Sequence, residues 1–310
     1  MKAHPPLRPF ALGLLPPLAL LPFLLAPLAA PDEAPPERRT RSLPGPQGEG
    51  VTLLPNGWRI APAGRHLDAG DLPLAMALHP DGRHLVITNN GWSKPSLRVV
   101  DLERRQVVQK LALEHAWLGL LWHPDGTRLL SSGAADNSVL EVGWRGDRLV
   151  PGRTLVLASP QKGGRPDAME NPGFVGGLAL SPDAKVLYAA QVYGKAVAAV
   201  DVETGAVLAR ASLPAEAYAA AVPRDGSAVY VSVWGGSRVA VLEPRTLRLL
   251  GEIAVGEHPN AMVFSRDEKR LFVACAMGGA MGDGGMWLHR KLSSQLALAA
   301  LGQRSAVQRA

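Results

Sequence analysis

The chain has 310 residues, 47% hydrophobic, 19% charged and 5% aromatic, with a formal charge of +6. That profile excludes a wholly disordered chain, a collagen, a coiled coil and a disulfide-dense scaffold. The length suits one large or two ordinary domains, and Gly 33 with Pro 27 fits a turn-rich β-protein better than a helical one.

Lys2 and Arg8 precede an uncharged apolar stretch from Phe10 to Leu28, and Leu28-Ala29-Ala30 is a small-residue end suited to cleavage. Residues 1–30 therefore read as a secretory signal peptide, which implies a periplasmic or secreted protein. Pro16, Pro17, Pro22 and Pro27 interrupt the stretch; an uncleaved anchor is the alternative and would be the chain's one contact with a membrane. No other stretch approaches the roughly 18 apolar residues of a spanning helix. Removing residues 1–30 takes away Lys2 and Arg8 and leaves a charge of +4. The remaining basic residues are scattered and have no stacking aromatics beside them, so nucleic acid is not an expected partner. Residues 31–50 are rich in Pro, Gly and charge and read as a disordered linker.

From residue 51 the chain repeats itself. The anchors are His79-Pro80-Asp81-Gly82, His123-Pro124-Asp125-Gly126, Ser181-Pro182-Asp183-Ala184, Pro223-Arg224-Asp225-Gly226 and Ser265-Arg266-Asp267-Glu268, with aspartates 44, 58, 42 and 42 residues apart. Apolar runs flank the anchors, as in Leu74–Leu78 before the first and His84–Ile87 after it. Pro-Asp-Gly between two such runs is a tight turn: proline presets φ, aspartate caps, glycine takes positive φ. A third run ends in an acid, at Asp101, Asp201 and Glu243, and a fourth closes the unit, as in Leu249–Ile253. Four short strands in about 42 residues is the signature of a β-propeller blade. The fold class predicted is all-β: an incomplete propeller of about five repeat units.

Val229-Tyr230-Val231-Ser232 and Gly256–Met262 carry a closer likeness. The repeat resembles the YVTN-type (YncE-like, WD40-like) β-propellers, over roughly residues 51–276. The resemblance implies seven blades in complete relatives. The third repeat, with Glu170–Phe174, and the segment Leu54–Ile60 are similar to a bacterial subgroup in which an alkaline-phosphatase-like phosphoesterase domain often follows the propeller. This sequence carries no such domain.

If the first strand of each blade (strand a) lies innermost, the Pro-Asp-Gly turns mark one face, and the b–c and d–a loops gather on the other. The candidates on that second face are Asn89, Asn90, Trp92, Asp136, Tyr193 and Trp234 from b–c loops, and His115, Glu257, His258 and Asn260 from d–a loops. Glu114, Trp117, Glu216 and Tyr218 accompany them. Aromatic and polar residues around a channel mouth suit a ligand or partner peptide; the plainer reading is that Trp92, Tyr193 and Trp234 cap blade ends. The surplus of the long repeat is expected in its outer strands and d–a loop, around Ser159–Phe174, and would stand over the same face. His79 and His123 read as turn residues rather than metal ligands, and Asp101, Asp201 and Glu243 as c–d turn residues.

No catalytic, metal or cofactor motif is found: the Ser159-x-x-Lys162 spacing lacks companion motifs, and Cys275 alone cannot build a thiolate site and reads as a buried strand residue. After Ala276 the repeat is lost. Residues 277–310 read as a non-repeat tail in which Leu288, Leu292 and Leu296 recur at helical spacing, predicting a short helix. Residues 51–67 read as outer strands of a closing blade, and the loss of period near residue 276 suggests a truncation or frameshift.

The function expected is a non-enzymatic extracytoplasmic binding or scaffold propeller. Its partner would be a small molecule, a peptide or a cell-envelope component held at the b–c/d–a face. The alternatives are the propeller half of a phosphoesterase-type fusion and a lactonase-like propeller hydrolase, which needs acids converging on one point.

Overall fold

The computed structural model describes residues 42–61, 63–64, 66–157 and 173–276 with their side chains, and 277 and 295–300 as backbone. The predicted signal peptide, the linker up to residue 41, the Ser159/Lys162 pair and the rest of the tail lie outside the described residues. None of the described helices is long and apolar enough to cross a membrane.

The chain forms two compact units, Met1–Arg65 and His66–Ala310. In the first, β1 (Gly45–Gly48), β2 (Val51–Leu53) and β3 (Arg59–Ile60) form an antiparallel three-stranded sheet. β1 falls within the segment read as linker.

The second unit is a series of antiparallel meanders. Blade 1 is β4 (Pro73–Leu78), β5 (His84–Asn89), β6 (Ser96–Asp101) and β7 (Gln106–Ala112). Blade 2 is β8 (Leu120–Trp122), β9 (Arg128–Ser132), β10 (Ser138–Arg145) and β11 (Arg148–Val156). Blade 3 is β12 (Val175–Leu180), β13 (Val186–Gln191), β14 (Ala196–Asp201) and β15 (Val207–Ser212). Blade 4 is β16 (Ala217–Ala221), β17 (Val229–Val233), β18 (Arg238–Leu242) and β19 (Leu249–Ala254). Blade 5 is β20 (Glu257–Phe264), β21 (Arg270–Met277) and β22 (Gln295–Ala300). This is a propeller-like arrangement of four four-stranded sheets and, among the described residues, a three-stranded fifth, in line with the repeat. The surplus of the long repeat begins in β10 and β11, of 8 and 9 residues, and continues into the connection before β12.

The tail corrects one expectation. Where leucine spacing predicts a helix over Trp287–Gly302, residues 295–300 form β22, paired with β21 from Arg270↔Ala300 to Cys275↔Gln295. Gln-Leu-Ala-Leu-Ala-Ala reads equally as a two-residue alternation, and short apolar runs do not separate the two periods. The open edge of β21 offers a row of backbone donors and acceptors, and pairing with it satisfies them.

Hydrophobic burial lies between blades, in four slabs rather than one centre. Val86, Leu97, Val99 and Leu129 pack blade 1 on blade 2. Leu130, Val139, Leu187 and Val200 join blades 2 and 3. Val197, Val229, Val231 and Leu242 join blades 3 and 4. Tyr230, Val239, Leu271 and Cys275 join blades 4 and 5. Cys275 is a core residue, as its setting in an apolar strand implies, and burial pushes its thiol pKa up. Each buried Val or Leu contributes roughly 1.5–3 kcal/mol, and because the slabs lie between blades each blade relies on its neighbours for its core.

Candidate functional site

The a–b turns define a lower face. At blade 1, Asp81 Oδ1 accepts from the Arg83 and His84 amides at 2.8 and 3.0 Å, and Gly82 takes φ +71°. Burial of the Asp81 carboxyl opposes its charge, but hydrogen bonds from His84, through side chain and backbone, outweigh that and hold its pKa well below the usual carboxylate range. The turns also latch onto one another. His79 Nε2 donates to the Gly126 carbonyl of the next turn at 2.8 Å, and its ring meets Trp122 edge-on at 4.5 Å. Arg128 reaches Glu203 at 2.8 Å, and the Arg224 amide donates to Glu268 at 2.9 Å. His79 and His123 are turn residues, as expected, but His79 is also a blade-to-blade clasp.

The c–d acids behave likewise. Asp101 accepts from Arg83 at 2.7 Å and from the Arg104 amide at 2.9 Å, which lowers its pKa to about 2. Asp201 and Glu243 cap the amides of Thr204 and Thr246 at 2.7 and 2.6 Å.

The opposite, upper face collects the b–c and d–a loops. Three b–c loops end on a residue in the left-handed region, Asn137, Lys195 and Ser237, at φ 53, 46 and 50°. Asn89 is fully buried and structural: its Oδ1 accepts from the Leu72 amide at 2.9 Å and its Nδ2 donates to Asp71 at 2.8 Å. Asn90 contributes its amide to the Leu72 carbonyl at 3.1 Å. The Ser93 amide, then the Asn89 side chain, hold the Asp71 pKa well below its ordinary value. Sequence reasoning passed over Asp71; its place just before the first inner strand, where other repeats carry His115 and Glu257, was the available signal.

Trp92 is wholly exposed. His115 Nδ1 meets Asp136 Oδ2 at 2.8 Å, linking the blade 1–2 connection to the b–c loop of blade 2. Phe174 packs between Trp117, at 5.3 Å, and Tyr193, at 5.2 Å, forming an aromatic cluster over blades 2 and 3. Trp234 and His258 stack at 4.1 Å, and His258 Nδ1 sits 3.3 Å from the Trp234 carbonyl. Glu257 is exposed. Asn260 caps the Ala261 amide at 2.6 Å through its Oδ1, and its carbonyl accepts from Ser232 Oγ at 3.1 Å. The candidates thus separate into an aromatic rim (Trp92, Tyr193, Trp234, His258), the His115/Asp136 pair, and the buried bracket around Asn89.

Acids and cations on this face pair off: Lys94 with Glu114 at 2.8 Å, Lys195 with Glu216 at 3.7 Å. They do not converge on one point. Among the described residues no group of three His, Cys, Asp or Glu could hold a metal ion.

Below the rim, the first strands line a cleft of about 360 Å³ bounded by Leu74, Leu118, Leu178, Met262, Tyr218 and Asn260, among others. This fits strand a being innermost. In blades 1, 2 and 4 an amide at or just before strand a lies off the ladder, and a hydroxyl on strand b takes it: Thr88 accepts from Ala75 at 3.0 Å, Ser132 from Gly119 at 3.2 Å, Ser232 from Ala219 at 3.0 Å. Glycines let the inner strands approach. A Cβ on Gly119 would stand 2.5 Å from the Gly176 carbonyl oxygen, and one on Gly177 would stand 2.7 Å from Ala219 Cα.

No family model matches the sequence, and no curated protein is significantly similar to it. Solved structures do share the fold. A functionally unknown protein from Desulfotomaculum acetoxidans is similar over 66% of this chain and 66% of its own, at 16% identity and a TM-score of 0.54. A protein from Lactobacillus plantarum is similar over 74% of this chain and 73% of its own, at 13% identity and a TM-score of 0.58. Kuenenia stuttgartiensis hydrazine synthase is similar over 68% of this chain and 58% of its own, at 20% identity and a TM-score of 0.50. At such identities the likeness speaks to fold alone. The class defined by sheets and neighbours together is a β-propeller-like, all-β protein.

Proposed function

We propose that the chain is a non-enzymatic binding or scaffold propeller of the YVTN (YncE-like) kind, with seven blades in its complete relatives. It works outside the cytoplasm, exported by residues 1–30, and takes a small molecule, peptide or cell-envelope component on its upper face. One observation carries the reading: the polar groups of the lower face are spent on turns and latches, whereas the upper rim leaves Trp92, Tyr193 and Trp234 at 101%, 40% and 37% exposure. Exposed aromatics are what recognition uses, since they add contact area at little conformational cost. The acids Glu114, Asp136 and Glu216 each neutralise a neighbouring cation or histidine, which suits recognition better than hydrolysis.

The test is titration of the full chain with soluble peptidoglycan fragments and with a random peptide pool, followed by tryptophan fluorescence. Trp234→Ala and Tyr193→Ala are expected to weaken the bound class about tenfold or more. Affinity unchanged in both variants would remove the upper face as the binding surface. For export, residues 1–50 fused to a reporter that is active only outside the cytoplasm should yield activity; an inactive but stable fusion would sink that part.

A further inference from the structure

The cleft beneath the rim combines an apolar wall with two polar side chains that have work left to do. Leu74, Leu118, Leu178 and Met262 supply apolar surface, and no charged residue lines the space among the described residues. Tyr218 and Asn260 stand at equivalent positions on adjacent inner strands, each one residue before the bulge amide. Asn260 uses its Oδ1 on the Ala261 amide, so its Nδ2 retains two donors. The Tyr218 hydroxyl and the Asn260 Nδ2 have no hydrogen-bond partner among the described residues. Burial raises the Tyr218 pKa, so the phenol stays protonated and is a donor at neutral pH. At about 360 Å³ the space lies at the small end of ligand pockets, which run roughly 300–1,000 Å³.

We propose that this cleft binds a small, neutral, largely apolar molecule bearing a carbonyl-type acceptor, held by hydrogen bonds from Tyr218 Oη and Asn260 Nδ2. An anion would enter a wall without a cation to meet it, and desolvation would oppose it. A pure hydrocarbon would leave both donors unanswered, which costs affinity. The proposal deepens the reading of the upper face as a binding face and rests on it for the direction of entry.

Three probes of similar size test it by ligand-observed NMR on the full chain: acetophenone, toluene and benzoate. Acetophenone should bind saturably, toluene about tenfold more weakly, and benzoate more weakly still. Tyr218→Phe removes a hydroxyl without a partner, so the fold stays intact. Asn260→Asp keeps the cap on Ala261, removes the donors and adds a carboxylate charge, for which toluene is the control. Each should weaken acetophenone about tenfold and leave toluene within twofold. Ala261→Phe fills the cleft and should abolish all three. Benzoate binding as tight as acetophenone, acetophenone binding untouched by Ala261→Phe, or no saturable acetophenone binding would each overturn the proposal. Trp234→Ala separates the two claims. A variant that loses the rim partner but keeps acetophenone supports cleft and rim independently. Rim binding with no acetophenone binding leaves the rim reading standing and refutes the cleft.

Discussion

The two faces of the blades come from one repeat and teach opposite lessons about how a loop is used. On the lower face, a short Pro-Asp-Gly-type turn occupies its own polar groups and then reaches sideways: His79 to Gly126, Arg128 to Glu203, Arg224 to Glu268. On the upper face, the loops differ between blades and leave aromatic rings facing solvent, Trp92 most of all. Regular turns at a fixed radius can bond their neighbours. Irregular loops cannot do so systematically, and are free to vary for recognition.

That contrast can be broken from its foundation outward. The largest loss should come from the slab beneath both faces. Leu129→Ala, at a fully buried position between blades 1 and 2, should cost about 2–5 kcal/mol by chemical denaturation. A loss below 1 kcal/mol would mean that blades do not share a core. Next comes the lower face. His79→Ala removes the Gly126 bond and the packing on Trp122, and should cost about 1–3 kcal/mol; a neutral result would reduce the clasp to ornament.

Carboxylates of the lower face contribute to the acid limit. Asp101 sits at about 2, and Asp125, Asp183, Asp201 and Asp267 are also lowered. A depressed carboxylate adds stability that is fully present above its unfolded value, near 3.9 for aspartate. That stability is lost as pH falls from about 4 toward 2. Asp101→Asn should flatten this part of the stability–pH curve. An unchanged curve would mean that the Arg83 and Arg104 bonds to Asp101 add no stability.

Two smaller effects sharpen it. Ala184 occupies the left-handed turn position, at φ 58°, that Gly82, Gly126 and Gly226 fill elsewhere. Ala184→Gly should therefore stabilise by roughly 0.5–1 kcal/mol, read as a rise in melting temperature; a fall would show that this turn differs from its equivalents. Trp92→Ala should change stability by less than about 0.5 kcal/mol, because the ring packs against little. A larger loss would make Trp92 a blade cap rather than a surface for a partner.

The rim was legible in the sequence because repeats align. Once Asp81, Asp125, Asp183, Asp225 and Asp267 were set in register, every b–c and d–a loop fell on one side. Within the rim the alignment misled at Asn89, which resembles a loop-face ligand group but lies buried and braces the entry to β4. A polar residue at a strand end serves either role, and only its partners decide. Neither Asp71, which completes that bracket, nor the amide-capping hydroxyls of Thr88, Ser132 and Ser232 stood out, since Thr and Ser are unremarkable in strands.

By itself the sequence determined the all-β class, the four-strand unit, the turns and the faces. Those follow from local rules: period-two alternation and the φ preferences of Pro, Asp and Gly act over a few residues. Tertiary structure decided what local rules leave open. It made β22 a strand, because an unpaired edge outweighs a helical spacing of leucines. It turned His79 from a turn residue into a clasp, and it brought Tyr218 and Asn260, 42 residues apart, onto one cleft. Contacts across blades depend on how closely the sheets approach, here set by small residues such as Gly119 and Gly177, and such long-range proximity is not encoded in any single repeat.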